Sequence, residues 1–147
     1  MEENIDRRKF LRRLAAITTF SATAVLVQAG CASGLNTYRR QLTEGALVIA
    51  VSDHVELDIV GGAIEIEVPS PEVHIILVRT SESSFAALSP TCTHLGCAVR
   101  KEPSFFRCPC HGSTYALDGS VVRGPARKSL EAFHVETSRN EIKIKVP

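Results

Sequence analysis

The 147-residue chain contains no tryptophan and a single methionine, and beyond its first thirteen residues it has no extended basic run. Its charges nearly cancel, at seventeen Lys and Arg against sixteen Asp and Glu. That balance gives no electrostatic footprint for nucleic acid. The absence of internal repeats and low-complexity tracts excludes a repeat array. Length leaves room for one domain of ordinary size and a tail. Long apolar runs are also scarce, and the one that exists lies near the N-terminus.

That run extends from Leu14 to about Gly30 and follows the basic stretch N-I-D-R-R-K-F-L-R-R at positions 4 to 13. At about 1.5 Å per residue it only just spans a hydrocarbon core of about 30 Å, and Thr18, Thr19, Ser21, Thr23 and Gln28 interrupt it. Arg7 and Arg8, followed by Phe10 and Leu11, resemble a twin-arginine export signal, the route of folded, cofactor-loaded proteins. A plain basic flank obeying the positive-inside rule gives the same composition. Cys31, in V-Q-A-G-C-A-S, resembles a bacterial lipoprotein cleavage site and is a candidate for lipidation, with Gln28 departing from that pattern. An uncleaved signal anchor, a lipoprotein and a released soluble form all remain open. Cys31 is equally readable as a small apolar residue ending a helix.

Residues 1–31 are thus assigned to a signal or membrane anchor, 32–46 to a polar tether and 47–147 to a single domain. Within that domain the pattern is short apolar runs of period two, punctuated by turns. It predicts strands at 47–51, 63–68, 73–80, 85–88, 98–101, 105–108, 121–122, 133–137 and 141–146. Gly61-Gly62, Pro69-Ser70-Pro71, Asp118-Gly119 and Arg139-Asn140 supply turns. The class is all-β. His54, His74 and His134 read as surface or turn residues without a role.

The chemistry is concentrated between Cys92 and Tyr115. The stretch reads C-T-H-L-G-C, then ten residues, then C-P-C-H-G-S-T-Y, so two short loops each supply a cysteine and a histidine. Two thiolates and two imidazoles suit a closed tetrahedral zinc site. Zinc gives no role to Cys97, Cys110 or the Gly-Ser-Thr-Tyr after His111. A bare disulfide framework, possible in an exported chain, leaves His94 and His111 unexplained.

At these motifs the sequence resembles the Rieske iron–sulfur proteins over roughly residues 45–147, and more narrowly the high-potential branch of cytochrome bc-type quinol oxidases. The resemblance implies a small antiparallel β-sandwich with a two-loop tip, preceded by one N-terminal hydrophobic helix. It implies one 2Fe-2S cluster held by Cys92, His94, Cys108 and His111, with two histidines on one iron raising the potential. Cys97 and Cys110 would be joined by a disulfide. Ser113 and Tyr115 match hydroxyls that donate to cluster sulfurs. Arg123-Gly124-Pro125-Ala126 resembles the loop shielding the cluster, so Gly124 and Pro125, with Leu95 at the tip, are its cluster-shielding residues. The chain is too short for a second, mononuclear iron domain.

The function implied is electron transfer as the iron–sulfur subunit of a quinol–cytochrome c oxidoreductase. It would take an electron from quinol, coupled to a proton on the free nitrogens of His94 and His111, and pass it to a c-type cytochrome. Partners would be a cytochrome b-type subunit, the c-type cytochrome, quinol and the membrane, with no nucleic acid. The domain would stand on the periplasmic side of a bacterial cytoplasmic membrane. By itself the chain would be an electron carrier and an oxidoreductase only within the complex. The alternative is a stand-alone periplasmic Rieske carrier, or the small subunit of a molybdenum oxidase such as arsenite oxidase. Its short length departs from common bc-type subunits, which bears on docking to a cytochrome b. Metal analysis separates the site chemistries: about two irons and two labile sulfides per chain are expected, whereas stoichiometric zinc without sulfide would overturn the iron–sulfur reading.

Overall fold

Ile142, Ile144 and Val146 alternate with Lys143 and Lys145, a pattern that gives a strand one apolar and one polar face. The computed structural model describes residues 33–147, and there the three apolar side chains are buried and both lysines exposed. Eleven strands and no α-helix occur among the described residues. They are β1 (Thr37–Arg39), β2 (Ala46–Ala50), β3 (Ala63–Pro69), β4 (Glu72–Arg79), β5 (Phe85–Leu88) and β6 (Arg100–Lys101). After these come β7 (Phe106–Arg107), β8 (Thr114–Tyr115), β9 (Val121–Arg123), β10 (Ala132–Ser138) and β11 (Glu141–Lys145). Short 3-10 turns at Val51–Asp53 and Val55–Asp58 join β2 to β3. The basic stretch, the apolar run, the anticipated helix and Cys31 all lie outside the described residues. Among the described residues no helix is long and apolar enough to cross a membrane.

Seven strands form one sheet in the order β1-β3-β4-β5-β10-β11-β2, and four form a smaller sheet in the order β6-β7-β8-β9. β10 serves both wings of the larger sheet: Ala132 and Phe133 pair with β5, and His134 to Ser138 pair with β11. The wings close on each other, because Leu47 and Ile49 of β2, Ile142 and Ile144 of β11, and Ile64 and Ile66 of β3 share one core. β4 has no polar face in its middle. Ile75 and Leu77 enter that first core, while Ile76 and Val78 enter a second core with Phe106 of β7 and Tyr115 of β8. All four are fully buried. At about 1.5–3 kcal/mol for each such side chain, β4 is the strand that joins base to tip.

All nine anticipated strands are present, with ends shifted by one or two residues, and two more appear. β8 is only two residues long and too short to show a period. β1 lies in the segment read as a tether, and it pairs with β3 in parallel, the exception in an otherwise antiparallel sheet. Its docking is polar: Ser33 Oγ donates to Glu65 Oε2 at 2.5 Å, while Asn36 Nδ2 and Tyr38 OH donate to Glu56 Oε1 at 2.5 and 2.9 Å. The Asn36 amide, a backbone amide and the Tyr38 hydroxyl hold the Glu56 carboxyl below its ordinary range. The same bond raises the Tyr38 phenol, with burial adding to it. His54, read as a surface or turn residue, does sit between the 3-10 turns but is buried, edge-on to the Tyr38 ring at 4.3 Å.

Gly62 closes the 3-10 segment onto β3 so tightly that a methyl group there would lie 1.7 Å from the Glu56 carbonyl oxygen. Gly45 has positive φ but open space around it. Gly62→Ala is therefore expected to cost about 3 kcal/mol or more and Gly45→Ala about 1–2 kcal/mol. Urea midpoints of the two variants check the order.

Candidate metal centre

Two loops meet at one end of the second core, and they close by the same hydrogen bonds. In the first, Cys92 N–H donates to Cys97 O at 2.8 Å and Gly96 N–H to Cys92 O at 2.9 Å. In the second, Cys108 N–H donates to Ser113 O at 2.8 Å and Gly112 N–H to Cys108 O at 3.0 Å. Both turns need a left-handed residue, and Gly96 and Gly112 supply φ of 78° and 77°. The first loop is tied at its base by Val99 N–H to Pro90 O. The second is the connection between β7 and β8.

This geometry sorts the four cysteines of the stretch. Cys97 and Cys110 form a disulfide across the loops, with their Cα atoms 6.6 Å apart. Cys92 and Cys108 are unpaired, and each is 1% exposed. Cys108 Sγ lies within 4.8 Å of the sulfurs of Cys97 and Cys110, but a disulfide sulfur is not a thiolate ligand. The rings of His94 and His111 stand perpendicular with centroids 4.9 Å apart. His94 Nδ1 is buried without a hydrogen-bond partner, an arrangement that a metal bond would satisfy. Two buried thiols and two facing imidazoles are therefore the donor set that can hold a metal group. A [2Fe-2S] centre with mixed cysteine and histidine ligation fits it.

Hydroxyl groups surround the Cys92 sulfur. Tyr115 is fully buried, and its OH lies 3.2 Å from Cys92 Sγ. Burial pushes the Cys92 thiol up, but hydrogen bonds from Tyr115, the His94 backbone, Cys108 and Ser113 bring it below its ordinary value. The Tyr115 phenol moves the other way, raised first by burial and then by its bond to Cys92. Both directions describe tyrosine as donor and thiolate as acceptor. Ser113 Oγ accepts the Ala126 N–H at 3.0 Å, which leaves its own hydrogen free to donate. The same bond pins the 123–126 loop, where Gly124 and Pro125 are exposed. Leu95 is 69% exposed at the tip of the first loop.

Thr93 plays a part that the sequence did not reveal. Its backbone N–H donates to Tyr115 OH at 3.2 Å, its Oγ1 lies 3.1 Å from that oxygen, and Oγ1 donates to Lys128 O at 2.6 Å. The threonine sits in the motif between Cys92 and His94, yet only the fold places it against Tyr115 and Lys128. Because the disulfide is the covalent tie between the two loops, Cys97→Ser is expected to loosen both. Hydrogen exchange of the Gly96 and Gly112 amides should rise at least about tenfold, equivalent to about 1.4 kcal/mol of local stability.

The Rieske [2Fe-2S] domain family matches residues 47–134. The chain is 36% identical over 117 residues to cytochrome b6-f complex iron-sulfur subunit 1 of Nostoc sp. strain PCC 7120, covering 78% of this chain and 64% of that protein. It is 56% identical over 59 residues to the cytochrome b6-f complex iron-sulfur subunit of Synechococcus sp. strain JA-3-3Ab, covering 39% of this chain and 34% of that one. It therefore spans less than two thirds of these relatives. Among solved structures, the cyanobacterial plasma membrane Rieske protein PetC3 from Synechocystis PCC 6803 superposes with a TM-score of 0.57 at 29% identity. That match covers 68% of this chain and 99% of PetC3. With more than half of the chain matched and a site whose donors suit the group, the protein belongs to the Rieske [2Fe-2S] domain family, and its cofactor is a [2Fe-2S] cluster.

Proposed function

We propose that this protein is the high-potential iron–sulfur subunit of a quinol-oxidising cytochrome bc-type complex, passing electrons from quinol to a c-type cytochrome. The observation that carries the reading is the Tyr115 hydroxyl 3.2 Å from Cys92 Sγ. When bound, the cluster supplies one-electron transfer at a potential set by its ligands and by hydrogen bonds to sulfur. Cys92, Cys108, His94 and His111 hold it. Tyr115 and Ser113 donate to sulfur and so favour the electron-rich state. His94 and His111 each keep one ring nitrogen for a proton, which lets an electron and a proton leave quinol together. Leu95, exposed at the tip, presents an apolar surface beside those rings. Two relatives are named as cytochrome b6-f iron-sulfur subunits, which supports a cytochrome-containing parent complex. Residues 1–31 act as the membrane anchor, and the segment 32–46 that links it to the domain is itself docked there through β1, with the domain facing the periplasm.

A second reading, a membrane-held Rieske carrier outside any such complex, draws support from the nearly full-length match to PetC3. Detergent pull-down decides between them, since the first requires a haem b subunit to co-purify. The high-potential assignment is tested at the two hydroxyls. If each bond is stronger in the reduced state by about 1–2 kcal/mol, part of the roughly 1.5–3 kcal/mol of bonds to charged groups, then at 59 mV per tenfold change the shift is roughly 40–90 mV. Ser113→Ala and Tyr115→Phe should each lower the midpoint by that amount with iron content unchanged. Unshifted midpoints would place the protein among low-potential Rieske ferredoxins and remove quinol as donor.

A further inference from the structure

The smaller sheet has an outer face that the electron-transfer chemistry does not use. Arg100 of β6 is the direct cross-strand partner of Arg107 of β7, Arg107 of Thr114 of β8, and Thr114 of Arg123 of β9. Directly paired residues in antiparallel strands project to the same side. The three arginines and the threonine thus form one row, opposite the row of Lys101, Phe106, Tyr115 and Val121. The sequence pattern alone would put Arg123 on the Val121 side. A register shift in the β8–β9 pairing makes Val122 the extra residue and moves Arg123 across.

All three arginines are exposed, and among the described residues none is in an ion pair. Like charges directly opposed across strands are destabilising, so Arg100 against Arg107 is a cost the fold carries without internal compensation. The surroundings reinforce the sign. Residues 92–130 hold Arg100, Lys101, Arg107, Arg123, Arg127 and Lys128 against Glu102 and Asp118. Residues 33–91 hold three basic side chains against eight acidic ones. The positive charge is therefore gathered on the half of the domain that bears the metal site. Arg107 immediately precedes Cys108, and Thr114 immediately follows Ser113.

We infer that this arginine row is the docking face for a redox partner protein whose own electron-transfer surface is rich in carboxylates. A complementary field of this kind steers encounter and can raise association rates by about 10- to 1,000-fold at low salt. Because the row lies on the small sheet whose β7–β8 connection carries Cys108 and His111, a partner seated on it is held on the half of the domain that bears the metal site. An anionic lipid surface is the competing occupant. The docking face rests on the electron-transfer role proposed above, though its binding can be measured without it.

Poly-L-glutamate and phosphatidylglycerol vesicles are titrated into the purified protein at low and at 0.15 M salt. The reduced protein is then mixed with an acidic and with a basic c-type cytochrome. Wild type should bind polyglutamate in a salt-sensitive way, and reduce the acidic cytochrome at least about tenfold faster at low salt than at 0.15 M. Arg100→Glu and Arg123→Gln should each weaken both effects several-fold, and Arg100→Lys should retain them. Arg100→Glu, now opposite Arg107, should also raise the melting temperature, an outcome opposite in sign to a loss of binding through misfolding. Polyglutamate binding equal in wild type and variants, or vesicle binding preferred to polyglutamate, overturns the inference. Failure to reduce either cytochrome would instead sink the electron-transfer role and leave the polyglutamate result to decide the surface.

Discussion

The double-sided burial of β4 is the constraint from which the rest of the architecture follows. A half-buried strand tolerates polar residues at every second position, but Ile75, Ile76, Leu77 and Val78 are all withdrawn from water. Such a strand must be covered on both faces. One cover is the closed wing of β2 and β11, and the other is the small sheet with its two loops. A shift of one residue in the β3–β4 register would exchange the two faces. The second core contains Cys92, Cys108, Tyr115 and Ala126 as well as Ile76 and Val78. The sulfurs and the hydroxyl that serves them are thus fixed by the same packing that holds the domain together.

Hydrogen counting sharpens the picture at the sulfur. Thr93 has one hydroxyl hydrogen, directed at the Lys128 carbonyl. Its oxygen can then only accept from Tyr115. The tyrosine's single hydrogen has two acceptors in reach, Cys92 Sγ and Thr93 Oγ1. Negative charge on sulfur favours the first, since bonds to charged acceptors are the stronger ones. Thr93 also fastens the first loop to the segment beyond Pro125. Ser113 fastens the second loop to that segment through Ala126. The two ligand loops and the covering loop are therefore tied in three places: one disulfide and two hydroxyls.

Much of this was legible in the sequence, for identifiable reasons. Strands such as Glu141–Lys145 announce themselves because one face is wet and one is dry. The paired Cys and His motifs are legible because spacing within a tight loop dictates which side chains converge. β1 was missed because its docking is largely polar, through Ser33, Asn36 and Tyr38 to acidic residues 18 to 32 positions away, and so leaves no hydrophobic period. The burial of His54 depends on Tyr38, sixteen positions away. The arginine row escaped because its members stand at 100, 107 and 123, and no linear run joins them. Pairing register and a bulge, neither readable from composition, put them side by side.

The parallel pairing of β1 with β3 has a mechanical consequence. A pull on the chain from the N-terminal side reaches Ser33 first, whose hydroxyl is clipped to Glu65. Next in line are Asn36, which accepts the Glu65 N–H, and the three residue pairs of the β1–β3 ladder. Only after these give way would load pass along the chain to β2 and the packed interior. The polar edge strand would take up such a pull bond by bond, before any load came to the core that holds the Cys92 and Cys108 sulfurs.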